Sequence, residues 1–285
     1  MKFAVFTVSL PEWTPEEAVR ELAEQGWDGI EWRVVDQEPA TGDVGFWQGN
    51  RCTWPASTFE QDAPRIKELT QQAGLGIPSI GTYVKSDELD AIEGLMRGAA
   101  ALGVTQMRVQ TGTPGPEGYR AAFAQRRKEF QAVAELSRTY GVRALIELHH
   151  QSLISSASAA ARFVEGFDPE TVGVIHDIGN MLREGYEYDP WSLEILGEHL
   201  AHVHVKNAVP RPERVEDANR TRWIWEWTPM RQGVADYDLL FSSLTRIGYD
   251  GWVTVEDFST ELPLAERVRD NLAYLREVTA RVGIG

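Results

Sequence analysis

Four polar residues interrupt runs that otherwise read as buried β-strands. Glu147 stands in Ala-Leu-Ile-Glu-Leu, Asp177 closes Val-Gly-Val-Ile-His-Asp, His204 sits in Ala-His-Val-His-Val-Lys, and Glu256 in Trp-Val-Thr-Val-Glu-Asp. Taken singly, each has a plain explanation. A strand-end carboxylate can reach solvent, and His204 can be a hydrogen-bonded core histidine. Brought together, three acids and an imidazole would repel one another and lose solvation unless a cation joined them. One divalent ion resolves the conflict. A donor set rich in oxygen with one imidazole suits Mn, Mg or Co, with Zn also admissible.

Further residues share the strand parity of these four. His149 lies two beyond Glu147 and so faces the same side, to hydrogen-bond substrate or to cap the strand end. Lys206 repeats the parity of His204 and either stabilises a developing oxyanion or forms a surface ion pair. Glu31 is another strand-end acid, for a substrate hydroxyl or a structural ion pair. His202 reads as a deeper core histidine, and His150, His176 and His199 as structural. Ten tryptophans are present. Trp13, Trp47, Trp54, Trp223, Trp225 and Trp227 follow expected strands. Indole faces stack on sugar C–H faces, which makes Trp13 and Trp54 expected substrate contacts. The alternating Trp223, Trp225 and Trp227 read equally as a short buried hairpin or a subunit contact.

Positioning these residues requires their strand ends to meet. Apolar, β-rich runs at 2–10, 28–35, 76–84, 105–112, 142–150, 172–180, 200–208 and 252–258 alternate with helical patterns at 14–25, 60–73, 87–102, 118–140, 156–167, 190–199, 236–247 and 264–282. Thr14 with Glu17 forms a capping-box signature, and Gly26, Gly74, Gly103, Gly141 and Gly248 mark helix ends. Eight strands alternating with helices, without a composition break, predict a single (β/α)8 TIM barrel over 1–285. An open doubly wound sheet is the competing reading, but no Gly-x-Gly-x-x-Gly turn follows the first strand. Strands five to eight are then neighbours, and their C-terminal ends converge. Two connections, 36–59 and 208–234, are long enough to be functional, and both fall on the catalytic face.

The order and setting of these residues resemble the xylose isomerase-like barrel superfamily, the sugar isomerase/epimerase group that includes tagatose and psicose epimerases and inosose dehydratase. Gly248-Tyr249-Asp250-Gly251-Trp252-Val253-Thr254-Val255-Glu256 carries the likeness best. Gly26-Trp27-Asp28-Gly29-Ile30-Glu31 and His202-Val203-His204-Val205-Lys206 add to it. The resemblance implies that Glu147, Asp177, His204 and Glu256 ligate the metal. It also implies that Glu147 and Glu256 act as acid and base on opposite faces of the substrate. Two departures stand out. Asn180 occupies the place of a family histidine and cannot shuttle a proton at neutral pH. Pro210 occupies the place of an epimerase arginine, with Arg211 one residue further. Asn180 and Arg211 are therefore expected as substrate contacts. Isomerisation or epimerisation leads, dehydration of the inosose or dehydroshikimate type follows, and a non-catalytic polyol-binding barrel is third.

Composition narrows the partners. A net charge of −15 argues against nucleic acid, whose binding rests on Lys and Arg at phosphates, and leaves a small neutral sugar or polyol as the easier substrate. The abasic-site endonucleases of this barrel need a histidine-rich cluster and a basic groove, unlike this chain. The lone Cys52 excludes an internal disulfide. No run reaches the roughly 18 apolar residues of a membrane span, and the N-terminus is unlike a signal peptide, so a cytoplasmic protein is expected. A homo-oligomer stays open.

Overall fold

Parallel strands that are buried on both faces read as the near-continuous apolar runs seen in the sequence. In the computed structural model, which describes residues 1–38, 42–215 and 220–283, these runs form β1 (Lys2–Phe6), β2 (Gly29–Val34), β4 (Ile80–Thr82), β5 (Gln106–Arg108), β6 (Arg143–Glu147), β7 (Val172–Asp177), β8 (Leu200–Val205) and β11 (Trp252–Val255). Three more strands lie outside that series: a short β3 (Thr53–Trp54), β9 (Asn207–Val215) and β10 (Arg220–Thr228). The order β1-β11-β8-β7-β6-β5-β4-β2, with β2 returning to β1, closes a single (β/α)8 barrel. Helices α1 (Pro15–Gln25), α2 (Phe59–Gln72), α3 (Leu89–Leu102), α4 (Tyr119–Tyr140), α5 (Ala157–Val164), α6 (Ile178–Arg183), α7 (Asp189–Leu196), α8 (Tyr237–Arg246) and α9 (Leu264–Arg281) lie between and after the strands.

Local signals explain the boundaries. The Glu17 amide donates to Thr14 Oγ1 (3.2 Å) and the Thr14 amide to Glu17 Oε2 (2.8 Å), completing the capping box of α1. Gly26 ends that helix at φ 84°, a conformation that costs a side-chain-bearing residue energy.

Three expectations about elements need correction. The strands are shorter than the apolar runs, because turns and helices take up their ends. Thus 172–180 is not one strand. It stops at Asp177, whose Oδ1 accepts from the Asn180 amide (2.9 Å) and caps the short α6. Asn180 therefore sits on a helix. The sixth helical pattern at 190–199 is α7 followed by one 3₁₀ turn, Gly197–His199. Finally, the hairpin reading of the tryptophans in 208–234 holds but its burial does not: β9 and β10 pair antiparallel from Asn207↔Thr228 to Val215↔Arg220, with most of β10 exposed or half-buried. Aromatic and β-branched residues in alternation favour such a pair. Residues 39–41 of the first long connection and 216–219 of the second lie outside the described residues.

The main apolar core fills the barrel and its junction with the helices. A smaller group, Phe6, Val8 and Phe258 with Phe46 and Trp227, forms separately at the C-terminal mouth. It makes one wall of the candidate site.

Candidate metal centre and its cavity

Parallel register brings the four polar interrupters to one level. Asp177 pairs with His204 across β7 and β8, and Thr254 pairs with His204 across β11 and β8, which sets Glu256 just above. Glu147 ends β6 beside β7. All four are buried, and one ligand atom from each lies within 4.8 Å of the others. His204 Nδ1 lies 3.4 Å from Glu147 Oε1, 3.8 Å from Glu256 Oε1 and 4.0 Å from Asp177 Oδ2. That nitrogen has no hydrogen-bond partner among the described residues. A buried imidazole nitrogen left bare toward three carboxylates is what a cation ligand set presents, so the residues fit a divalent ion.

The opposite nitrogen is held from behind. His204 Nε2 meets Glu31 Oε2 at 3.1 Å, and the same oxygen meets His202 Nε2 at 2.9 Å. Glu31 is wholly buried. Of the two readings of Glu31, the ion pair holds and the substrate contact is corrected: it lies beneath the cluster as a carboxylate partner of two histidines. Such a partner holds a proton on Nε2 and turns Nδ1 toward the three carboxylates.

Two cations flank the acids. Arg108 Nη1 donates to Glu147 Oε2 (2.7 Å) and its Nε to the Thr82 carbonyl (3.0 Å). Lys206 Nζ donates to Asp177 Oδ2 (2.5 Å) and to Glu256. Lys206 reaches them past Gly179. A Cβ on Gly179 would lie 2.1 Å from Lys206 Cγ and 2.7 Å from its carbonyl oxygen, so that close approach requires glycine. Asn180 Nδ2 donates to Asp177 Oδ2 (2.8 Å), and Asn180 Oδ1 meets His150 Nδ1 at 3.0 Å.

Burial disfavours each of these charges, and the neighbours decide the outcome. Burial pushes Asp177 up to about 7. At Glu147 burial is outweighed by Arg108 and His204, which hold its carboxyl well below the usual range. Burial opposes protonation of His204, but Glu31, Glu147 and Glu256 raise it well above an ordinary imidazole. Burial also opposes the Lys206 ammonium, and Asp177 and Glu256 raise it. The cluster as a whole draws positive charge.

A cavity of about 270 Å³ opens above the cluster, with Glu147, Glu256, Lys206, Asn180 and His149 in its wall. Trp47, Trp227 and Phe258 form its apolar side. Three other expected substrate contacts are not brought here and are corrected. Trp54 is a buried core residue stacked edge-on against Trp32. Trp13 is half-buried against the main core. Arg211 is exposed on the hairpin, paired with Glu226 at 3.2 Å. Conversely, His150, Arg183 and Arg108 line the cavity without having been singled out for it. Arg108 was findable, since a charge on the inner strand β5 is the same signal that marked Glu147.

The chain belongs to the family described as xylose isomerase-like TIM barrel, whose model matches residues 19–278. Among curated relatives, it is similar to an inosose dehydratase of Geobacillus thermodenitrificans, 26% identical over 137 residues. That match spans 44% of this chain and 43% of the relative, so the chain covers less than half the length of this relative. Among solved structures, it is similar to the 3-keto-D-glucoside 4-epimerase YcjR of E. coli, with TM-score 0.74, 17% identity and coverage of 97% and 99% of the two chains. It is also similar to the IolI protein with a bound zinc atom, with TM-score 0.73, 18% identity and 99% of each chain covered. At these identities the structural likeness shows the fold. Among the described residues, no helix is long and apolar enough to cross a membrane.

Proposed function

We propose that the chain is a divalent-metal-dependent isomerase or epimerase of a small sugar or polyol ketone, with Glu147, Asp177, His204 and Glu256 holding the ion. The observation that carries this reading is the bare, buried Nδ1 of His204 facing three carboxylates at the floor of a polar cavity. A bound divalent ion supplies Lewis-acid polarisation of the substrate carbonyl and its neighbouring hydroxyl. Glu147 and Glu256 then serve as the proton-transfer pair, one removing the proton beside the carbonyl and the other returning it. Arg108 holds Glu147 Oε2 and leaves Oε1 to face the cluster. Lys206 stands between Asp177 and Glu256, where its ammonium can donate to an oxygen on which negative charge develops. His149 and Asn180 hydrogen-bond substrate hydroxyls, and the Trp227 ring offers an apolar face to the sugar.

Dehydration on the same site is the second reading, favoured by the matched inosose dehydratase. Turnover in heavy water, followed by NMR and mass spectrometry, separates the two. Epimerisation or isomerisation gives product of unchanged elemental composition with deuterium at the reacting carbon. Loss of one water assigns the lyase. Turnover by a metal-loaded Glu147→Gln, Glu256→Gln double variant at the parent rate sinks the two-carboxylate mechanism.

A further inference from the structure

We infer that the substrate has two sugar-sized parts, a carbonyl-bearing unit over the Glu147–Asp177–His204–Glu256 cluster and a second, neutral polyhydroxylated ring beside it. The inference rests on the sugar-ketone reading above and extends it to the whole ligand. Beside the cavity over the cluster lies a second lobe of about 260 Å³, nearly the equal of the first at about 270 Å³. The two share Arg108, Gln110, Glu147, His149 and His150 as a common wall. Sites for drug-sized ligands run from about 300 to 1,000 Å³. Each lobe alone falls short of that range, so a ligand of that size seated over the cluster would extend into the second.

The lining of the second lobe states what it takes. Apart from Gly112, every residue around it carries a polar side chain, with Gln110, Thr111, Thr113, Gln151 and Ser152 on the side away from the cluster. Thr113 Oγ1 and Ser152 Oγ are already bonded to backbone carbonyls, but an apolar appendage would cover the Gln110 and Gln151 amides at the cost of their desolvation. A ring of hydroxyls pairs with them. A phosphate is a poor match, because the charge of Arg108, the one guanidinium in this wall, is offset by the Glu147 carboxylate that stands in the same wall and accepts from it.

The backbone here is also set deliberately. Gln151 is left-handed at φ 58°, the one residue other than glycine with positive φ among those described. Its amide donates to Glu184 Oε2 (2.7 Å), and its carbonyl accepts from Thr113 Oγ1 (3.0 Å). Residues held in this way concentrate at ligand clamps. His149 and His150, which line both lobes, stack with ring centroids 4.5 Å apart and planes 16° from parallel, a flat surface against which a sugar ring can lie.

The test titrates the manganese-loaded protein with D-fructose and with two ketose disaccharides of different linkage, lactulose and isomaltulose, following tryptophan fluorescence and heat. At least one disaccharide should bind tenfold or more tighter than fructose. Thr113→Trp, at an exposed position on the lobe, should bring that ratio close to one while the melting temperature stays near the parent's. Ser152→Trp fills the lobe from another side and should act alike. A ratio near one in the parent protein overturns the inference alone, as does a ratio that survives both substitutions. Failure of all three sugars to bind overturns the sugar-ketose reading and the inference with it.

Discussion

His204 gives its two ring nitrogens different tasks, and the residue that separates them is Glu31. With Glu31 Oε2 on Nε2 at 3.1 Å, that nitrogen keeps its proton, and Nδ1, which faces the three carboxylates, is the nitrogen that would give up its own to bind a cation. Replacing such a carboxylate costs about 10–100-fold in metal affinity. Glu31→Gln should therefore weaken metal binding by about that factor in chelator competition, with circular dichroism that still reports a folded barrel. Unaltered affinity would refute the positioning role. A second residue-scale expectation concerns Asp189, which is buried at the start of α7. Burial, with Asp236 nearby, raises its carboxyl to about 7 from an ordinary 3.8. The folded state thus holds this proton over a window, about pH 4 to 7, in which the unfolded chain releases it. Stability associated with Asp189 is present below that window and is lost as pH rises through it. Asp189→Asn has no proton to lose, so its melting temperature should fall less between pH 5 and pH 8 than the parent's. Equal slopes in the two proteins would rule Asp189 out as the source.

At the scale of elements, the tryptophans divide by where their strands and loops end up. Trp227 closes β10 at the cavity mouth, 5.6 Å from the Phe258 ring, with Lys206 5.7 Å and Arg183 5.0 Å from its own ring. Trp54 lies on β3 and is sealed into the core. Trp227→Ala should raise KM about tenfold, and it should abolish most of the fluorescence change on ligand binding. Its effect on melting should be small. Trp54→Ala should behave the other way, losing about 3–5 kcal/mol of stability because it removes a large buried ring. Kinetics and thermal melts of the two variants check the division, and a KM effect confined to Trp54→Ala would reverse it. The alternation of Trp223, Trp225 and Trp227 was legible as a hairpin signal. Which of the three reaches the mouth was not, because the pleat sets only parity, while position along the hairpin depends on how β9 leaves β8.

At the scale of the whole molecule, the barrel holds three acids together at one end, and metal binding should be coupled to its stability. A ligand at 100 times its dissociation constant stabilises the native state by about 2.7 kcal/mol. For a chain of this size that corresponds to about 5 °C in melting temperature. Loading with Mn, Co, Mg or Zn should raise the melting temperature by that order, and a chelator should reverse it. No shift with any of the four would remove the metal site from the account. The barrel and its four interrupters could be read from the amino-acid sequence, because a charge on a strand buried on both faces is costly and marks a place where a partner or a site must compensate it. Glu147, Asp177, His204 and Glu256 break such runs one strand after another. What lies beside them could not be read there. Glu31 comes from a strand 171 residues before His202, and only barrel closure sets its carboxylate beneath the imidazoles. Asn180 faces the site because Asp177 turns the chain into a helix. Trp13, Trp54 and Arg211 have the composition of sugar contacts and lie elsewhere. Local periodicity determines which side of a strand a residue faces, but the meeting of distant side chains depends on register, closure and turns, which belong to the tertiary structure alone.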